Sequence, residues 1–226
     1  MRAPLALAAC VLVAGRAAAA SPAAGRIVGT VKVTEADGKP APPDSVVIVY
    51  VVGFNDPPGG KPATTTINQR DRTFIPDLVA ITVNDSVGFP NLDPFLHNVF
   101  SVSGTRKFDL GSFPKGESKA RQFPETGVVD VYCNIHPEMA ATILVLPNHH
   151  HVQVAPDGRF RLDGVPPGEW TVFAYTRRAT KPSSAKVSVV AGAETTVSLA
   201  LVRGAEPAHL NKYGEKYHDN DTAVYK

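Results

Sequence analysis

Sulfur-containing side chains are scarce in this 226-residue chain, which has two cysteines and two methionines. Met1 and Cys10 lie in an N-terminal stretch rich in Ala, Leu and Val. Without that stretch, Cys133 is the only cysteine and Met139 the only methionine, so no disulfide can form within the chain. A lone thiol so close to a lone thioether indicates intermolecular pairing or a reactive or metal-bound cysteine.

Long apolar runs and an excess of either charge are also absent. Beyond residue 20 the longest apolar run is residues 46–54, whereas a membrane-spanning helix needs about 20 residues. Removing residues 1–20, with Arg2 and Arg16, leaves 21 basic and 21 acidic residues. We therefore predict no transmembrane segment, and the balance of charge does not favour nucleic acid or an anionic membrane as a partner.

Residues 1–20 are predicted to be a signal peptide. Arg2 precedes an apolar run, and three alanines before Ser21 offer a cleavage site. This predicts a periplasmic or secreted protein. The segment Leu-Ala-Ala-Cys ending at Cys10 resembles a lipobox, and a lipid anchor there is the less favoured alternative because the apolar stretch before it is very short.

Twenty prolines and eighteen glycines divide the chain into short segments, which favours strands and turns over long helices. We predict an all-β protein with a middle block at residues 57–147. Strands at residues 27–33 and 46–52 precede this block, and about five strands follow within residues 152–201. The polar tail, residues 203–226, is expected to lie over the surface or to be partly disordered.

Three side chains that suit a copper ion share one short segment of the middle block. Cys133, His136 and Met139 supply a thiolate, an imidazole and a thioether with Cys-x2-His-x2-Met spacing. Soft sulfur ligands favour copper, and imidazole suits it too. His97, at the start of an earlier predicted strand, can supply a second imidazole at the same end of a sandwich. The pattern predicts a single copper ion held by His97, Cys133, His136 and Met139.

Roughly residues 60–147 resemble the cupredoxin family with a short ligand loop. The resemblance rests on the Cys-x2-His-x2-Met spacing, on Phe-Pro-Asn-Leu-Asp at residues 89–93, and on His97-Asn98-Val99, the strand after Gly127 and Tyr132-Cys133. It implies a Greek-key β-sandwich with one type 1 (blue) copper that exchanges electrons with a redox protein partner.

The same resemblance implies roles for the neighbours of the ligands. The backbone N–H of Asn98 is expected to support the Cys133 sulfur, and its side chain to tie down the ligand loop. His136, followed by Pro137, is expected to be the exposed ligand at an apolar docking surface. Tyr132 is either an electron path to Cys133 or a packed strand aromatic.

The flanking segments resemble a carboxypeptidase regulatory-like domain, which implies a small Ig-like sandwich without catalytic activity. Asp157-Gly158-x-Phe160 and the turn Val-Pro-Pro-Gly-x-Trp at residues 165–170 carry this likeness, as does the segment 29–47. We predict that residues 26–56 and 148–202 form one sandwich into which the copper domain, residues 57–147, is inserted. The alternative is that residues 27–52 add strands to the middle block.

The remaining histidines have less definite roles. His149, His150 and His151 could bind a second metal, but a solvated hinge is favoured because successive side chains of a strand point apart. His209 and His218 are interpreted as ordinary tail residues.

The pattern as a whole predicts an electron carrier rather than an enzyme. Apart from the run His149–His151, the chain has no His-x-His pair of the kind that multicopper oxidases use. The alternative functions are a copper-handling or copper-dependent assembly protein, and an adhesion module whose copper is incidental.

Overall fold

The computed structural model describes residues 23–57 and 59–217, and over these residues the chain is all-β, as predicted. The predicted signal peptide and His218 lie outside the described residues. No helix within the described ranges is long and apolar enough to cross a membrane. The strands are β1 Gly25–Glu35, β2 Val47–Val52, β3 Thr64–Thr66, β4 Asn68–Arg70, β5 Thr73–Ile75, β6 Leu78–Thr82, β7 Ser86–Pro90, β8 His97–Ser101, β9 Phe108–Phe113, β10 Ser118–Gln122, β11 Gly127–Tyr132, β12 Ala140–Leu146, β13 His151–Gln153, β14 Arg159–Val165, β15 Gly168–Thr176, β16 Ser183–Val189 and β17 Glu194–Arg203.

The strands pair in two separate sets. Strands β3–β12, here called the inner unit, form a five-stranded sheet in the order β6-β12-β11-β8-β9, a three-stranded sheet in the order β10-β7-β3, and the β4-β5 ribbon. Strands β1, β2 and β13–β17, here called the outer unit, form sheets in the orders β14-β1-β17 and β13-β2-β15-β16. The chain thus leaves the outer sheets after β2 and returns to them at β13.

Strand β1 is central to the outer unit. It runs parallel to β17 from the pair Arg26–Glu194 to the pair Glu35–Arg203, and its other edge pairs antiparallel with β14. Gly29 is required there because a Cβ at this position would lie 1.9 Å from the Val197 carbonyl oxygen. Strand β2 lies between β13 and β15.

The continuous apolar run of β2 is explained by burial on both of its faces. Val47, Val49 and Val51 belong to the outer core. Ile48 points the other way and packs with Leu144 of β12 in a third apolar cluster, which joins the two units. Strand β12 is likewise buried along its whole length, so its sequence shows no polar alternation.

Candidate metal centre

The predicted donors converge at one end of the five-stranded sheet. His97 begins β8, and β11 ends at Tyr132, directly before Cys133. Because β8 and β11 are neighbours, the histidine and the cysteine start from adjacent strands. The ligand loop, defined as residues 133–139, turns back on itself through bonds from the Cys133 N–H to the Met139 carbonyl (3.2 Å) and from the Met139 N–H to the His136 carbonyl (3.1 Å).

Three donor atoms face one another at distances that suit one metal ion. The Nδ1 atoms of His97 and His136 are 3.1 Å apart, and the Cys133 Sγ lies 3.9 Å and 3.8 Å from them. Nitrogen and sulfur ligands bind a first-row ion at about 2.0–2.3 Å, so the ligand atoms of one ion lie about 3–4 Å apart. All three side chains are buried, as is Met139 in the same loop. The residues present therefore fit a single soft or borderline metal ion.

Asp93 fixes the orientation of the first imidazole. Its Oδ2 lies 2.7 Å from His97 Nε2, which leaves the Nδ1 lone pair directed at the other donors. The backbone N–H groups of Asp71 and Arg72 also donate to this carboxylate, at 2.7 and 3.0 Å. In the sequence, Asp93 is recognisable only as the last residue of the motif at residues 89–93. Its position four residues before His97 was the one signal that it could orient this ligand.

Burial favours the neutral, metal-binding form of both imidazoles. Burial lowers the pKa of His97 even though Asp93 opposes this effect. The pKa of His136 falls to about 4, first because of burial and then because His97 is adjacent. Neutral imidazole offers its ring nitrogen lone pair to a metal without prior loss of a proton.

Backbone donors surround the sulfur. Burial raises the pKa of the Cys133 thiol, whereas hydrogen bonds from the backbone of Asn98, Ile135 and His136 lower it. The Ile135 N–H lies 3.4 Å from Sγ. These donors favour the thiolate, and a bound metal ion would favour it further.

The Asn98 side chain differs from its expected role. It donates to Asp109 Oδ1 on β9 at 2.7 Å and does not bond to the ligand loop. The irregular register of β8 and β9 between Asn98 and Phe100 accompanies this contact across the strand pair. The side chain thus ties the ligand strand to its sheet neighbour.

His136 is buried, so its expected exposure as a surface ligand is wrong. Only 3% of the residue is exposed. The Phe95 ring packs against both ligand imidazoles, 5.2 Å from His97 and 5.5 Å from His136 between centroids. Asn91 holds this cover in place because its Nδ2 donates to the Phe95 carbonyl at 2.9 Å and to the Phe113 carbonyl at 3.0 Å.

The C-terminal segment contacts the ligand loop from outside. The tail clasp, defined as residues 204–217, places the His209 ring 3.9 Å from the Tyr132 ring in a stacked arrangement. Its Tyr217 hydroxyl donates to the Cys133 carbonyl at 2.8 Å, and the Lys212 N–H donates to Asn134 Oδ1 at 2.9 Å. His209 is therefore not an ordinary tail residue. The only sequence signal was the presence of tyrosines in an otherwise polar tail.

Tyr132 and Pro137, the two other predicted neighbours of the ligands, both contact the tail clasp. Tyr132 packs between Phe100 and His209, and burial raises its pKa to about 12. The Pro137 carbonyl lies 2.8 Å from His209 Nε2, which can donate a hydrogen bond to it. Both residues thus connect the ligand loop to the tail.

Comparison with known proteins gives a partial likeness. No protein-family model matches the chain, and no curated protein matches it. Among solved structures, a purple cupredoxin from Nitrosopumilus maritimus is 24% identical over 36% of this chain and 98% of its own, with a TM-score of 0.33. A reduced amicyanin variant is 24% identical over 36% of this chain and 80% of its own, with a TM-score of 0.34.

A copper-containing nitrite reductase from Thermus scotoductus is also similar, at 25% identity and a TM-score of 0.35. The match covers 43% of this chain but only 25% of the reductase. These structural neighbours are cupredoxins, and their likeness to this chain is limited in extent. The choice of metal and function therefore depends on the chain's own donor atoms and their surroundings.

Proposed function

We propose that the protein is an exported copper protein that holds one type 1 copper and carries single electrons between redox protein partners. The observation that carries this proposal is the buried triad of His97, Cys133 and His136, with the Met139 thioether in the same loop. Two imidazoles, one thiolate and a nearby thioether are the donor set of blue copper. Bound copper would supply reversible one-electron exchange.

The surroundings of the triad favour electron transfer over catalysis. The three donor residues are each at most 3% exposed, which leaves no open access for a substrate. Asp93 bonds to His97 and the tail clasp bonds to the ligand loop, which restricts movement of these ligands when charge is gained or lost. Electron transfer is fastest when the ligands rearrange least. We accordingly propose that the protein is not an enzyme.

The docking surface for a redox partner is proposed at the Phe95 cover. Pro94 is exposed and Phe95 is half-buried over both imidazoles, so a partner here would approach the metal through one aromatic ring. Small apolar patches suit transient contacts. Leu96, in contrast, packs against the inner core and would be a poor site for a surface mutation.

Spectroscopy of the copper-loaded full chain tests the metal assignment. We expect one copper per chain, an intense thiolate-to-copper charge-transfer band and a reversible midpoint potential. Cys133→Ala should abolish the band, whereas Met139→Leu should keep it and raise the potential because a weak donor to Cu(II) is lost. A band that survives Cys133→Ala would refute the site.

Kinetics separate the electron carrier from a copper-handling protein. We expect rapid electron exchange with a redox protein and slow loss of Cu(I) to a chelator. Pro94→Asp should slow the exchange and leave the copper affinity unchanged. Rapid transfer of Cu(I) combined with slow electron exchange would favour the copper-handling alternative.

Export and the identity of the outer unit complete the proposal. The N-terminal stretch supports cleavage before Ser21 and a periplasmic or secreted protein, which N-terminal sequencing of the mature protein would test. The two outer sheets, together with the turn motifs around Gly158 and Gly168, support a carboxypeptidase regulatory-like sandwich. An experimental structure that closes these strands into another fold would overturn this assignment.

A further inference from the structure

A bend after β12 brings together two histidines that a strand would separate. Successive side chains of a strand point to opposite faces. At residues 147–150, here called the histidine bend, the chain is not in strand conformation, and the His151 N–H bonds to the His149 carbonyl at 2.9 Å. The rings of His149 and His150 consequently lie 4.1 Å apart between centroids. His149 and His150 can therefore face one ion, which the alternation of a regular strand would prevent.

The carboxylate of Asp56, which lies between β2 and β3, completes the cluster. Asp56 follows β2, and its Oδ1 lies 2.7 Å from His149 Nδ1. Its Oδ2 accepts the backbone N–H of His149 at 2.9 Å. Asp56, His149 and His150 each offer one ligand atom, and these three atoms lie within 4.8 Å of one another.

Asn148 holds the backbone of this cluster in place. It is completely buried, and its Nδ2 donates to the carbonyls of Val51 at 3.1 Å and Phe54 at 2.9 Å. Its Oδ1 accepts the His150 N–H at 3.0 Å. The His150 ring in turn packs against Phe54, with 5.3 Å between centroids. Two of the three donors are thus positioned before any ion binds.

We propose that Asp56, His149 and His150 form a second metal site, separate from the Cys133 centre, that binds a borderline divalent cation such as Zn²⁺. Two imidazoles and one carboxylate suit Zn²⁺, and three protein ligands leave a position for water. Ligand atoms around tetrahedral Zn²⁺ lie about 3.4 Å apart. The hydrogen-bonded Asp56–His149 pair, at 2.7 Å, must therefore move slightly apart, and any pair near the 4.8 Å limit must move closer. The His149 side chain is 67% exposed and free to make this adjustment.

An ion at this site would join the two connections between the inner and outer units. Asp56 lies on the connection from β2 to β3, and the histidine bend lies on the connection from β12 to β13. The Asp56 N–H already bonds to the Pro147 carbonyl at 3.3 Å. Zn²⁺ would add a direct link between the two segments and would stabilise the junction where the chain passes between units.

Titration of the copper-loaded full chain with Zn²⁺ tests the site. We expect one Zn²⁺ per chain by calorimetry and by elemental analysis after gel filtration, with the visible copper band unchanged. His149→Ala should weaken Zn²⁺ binding at least tenfold, and this variant should fold because the side chain is mostly exposed. Asp56→Asn should weaken binding in the same direction. His151→Gln is the matched control, because this adjacent histidine is not part of the cluster.

A second arm makes the result independent of the copper assignment. In Cys133→Ala, which removes the sulfur of the first centre, Zn²⁺ should still bind with the affinity of the unmodified chain. Failure to bind Zn²⁺ at micromolar concentration would overturn the proposal and leave the cluster as a hydrogen-bonded hinge. Equal binding by His149→Ala, or loss of the copper band as Zn²⁺ enters, would also overturn it.

Discussion

The two units of this molecule differ in how many polar side chains they bury together. In the outer unit, strands such as β17 alternate between exposed and buried positions, and the core is mostly aliphatic. In the inner unit, polar side chains are buried in a group around the ligand loop and the segment that covers it, and they include Gln69, Asn91, Asp93, His97, Asn98 and His136. Burying a polar group is unfavourable unless it is hydrogen-bonded, so this group marks where the fold is organised around a site.

The contrast implies that the stability of the outer unit and the chemistry of the inner unit can be changed separately. The outer core contains none of the four predicted copper ligands, while the inner core includes Cys133 and Met139. The main shared surface is the small apolar cluster around Ile48 and Leu144. Among the described residues, the tail clasp carries the chain from the outer sheets back to the ligand loop.

Deleting residues 27–52 should have the largest effect and would separate the two units. It removes the central strand β1 and the strand β2, which lies between β13 and β15, so we expect a loss of several kcal/mol and unfolding of the outer unit. The excised block 57–147 should keep the copper band, with Leu144→Lys included to make the newly exposed cluster soluble. Circular dichroism and visible spectra check both results. If the block stays colourless both with and without Leu144→Lys, copper binding by the inner unit depends on the outer unit.

Asp93→Asn should strongly weaken the metal centre while leaving the outer unit intact. The amide removes the charged partner of His97 and one of the oxygens that accept backbone N–H groups. Loss of such a partner commonly costs 10–100-fold in metal affinity. Copper competition measures the effect. Asp157→Asn, at an exposed turn of the outer unit, is the control and should change nothing; an unchanged affinity in Asp93→Asn would remove the orienting role.

Tyr217→Phe should have the smallest effect and would show how far the tail clasp supports the ligand loop. The change removes only the hydroxyl that donates to the Cys133 carbonyl. A lost hydrogen bond of this kind costs about 1 kcal/mol, which corresponds to about a fivefold faster loss of copper. Stopped-flow chelation measures this rate. Tyr213→Phe is the matched control because Tyr213 is 71% exposed; equal rates in both variants would assign the tail no role at the centre.

The sequence predicted the local parts of the site because ligand chemistry depends on residue type and short spacing. Cys133, His136 and Met139 lie within one loop, so their convergence required no knowledge of the fold. His97 needed only the expectation that its strand lies beside the one ending at Tyr132, and the sheet order has this arrangement. The all-β fold followed in the same way from frequent proline and glycine.

The rest depends on how distant segments meet. His136 is buried because Asn91 holds Phe95 over it. The partner of the Asn98 side chain depends on the irregular pairing of β8 with β9. Tyr217 reaches Cys133 across 84 positions of the chain, and Asp56 reaches His149 across 93. Sequence spacing alone carries no information on such contacts. By itself the sequence thus determined which atoms could bind a metal. Only the tertiary structure decided how deeply these atoms are buried, which groups orient them and which histidines come together. Each of these properties depends on packing between segments that lie far apart in the chain.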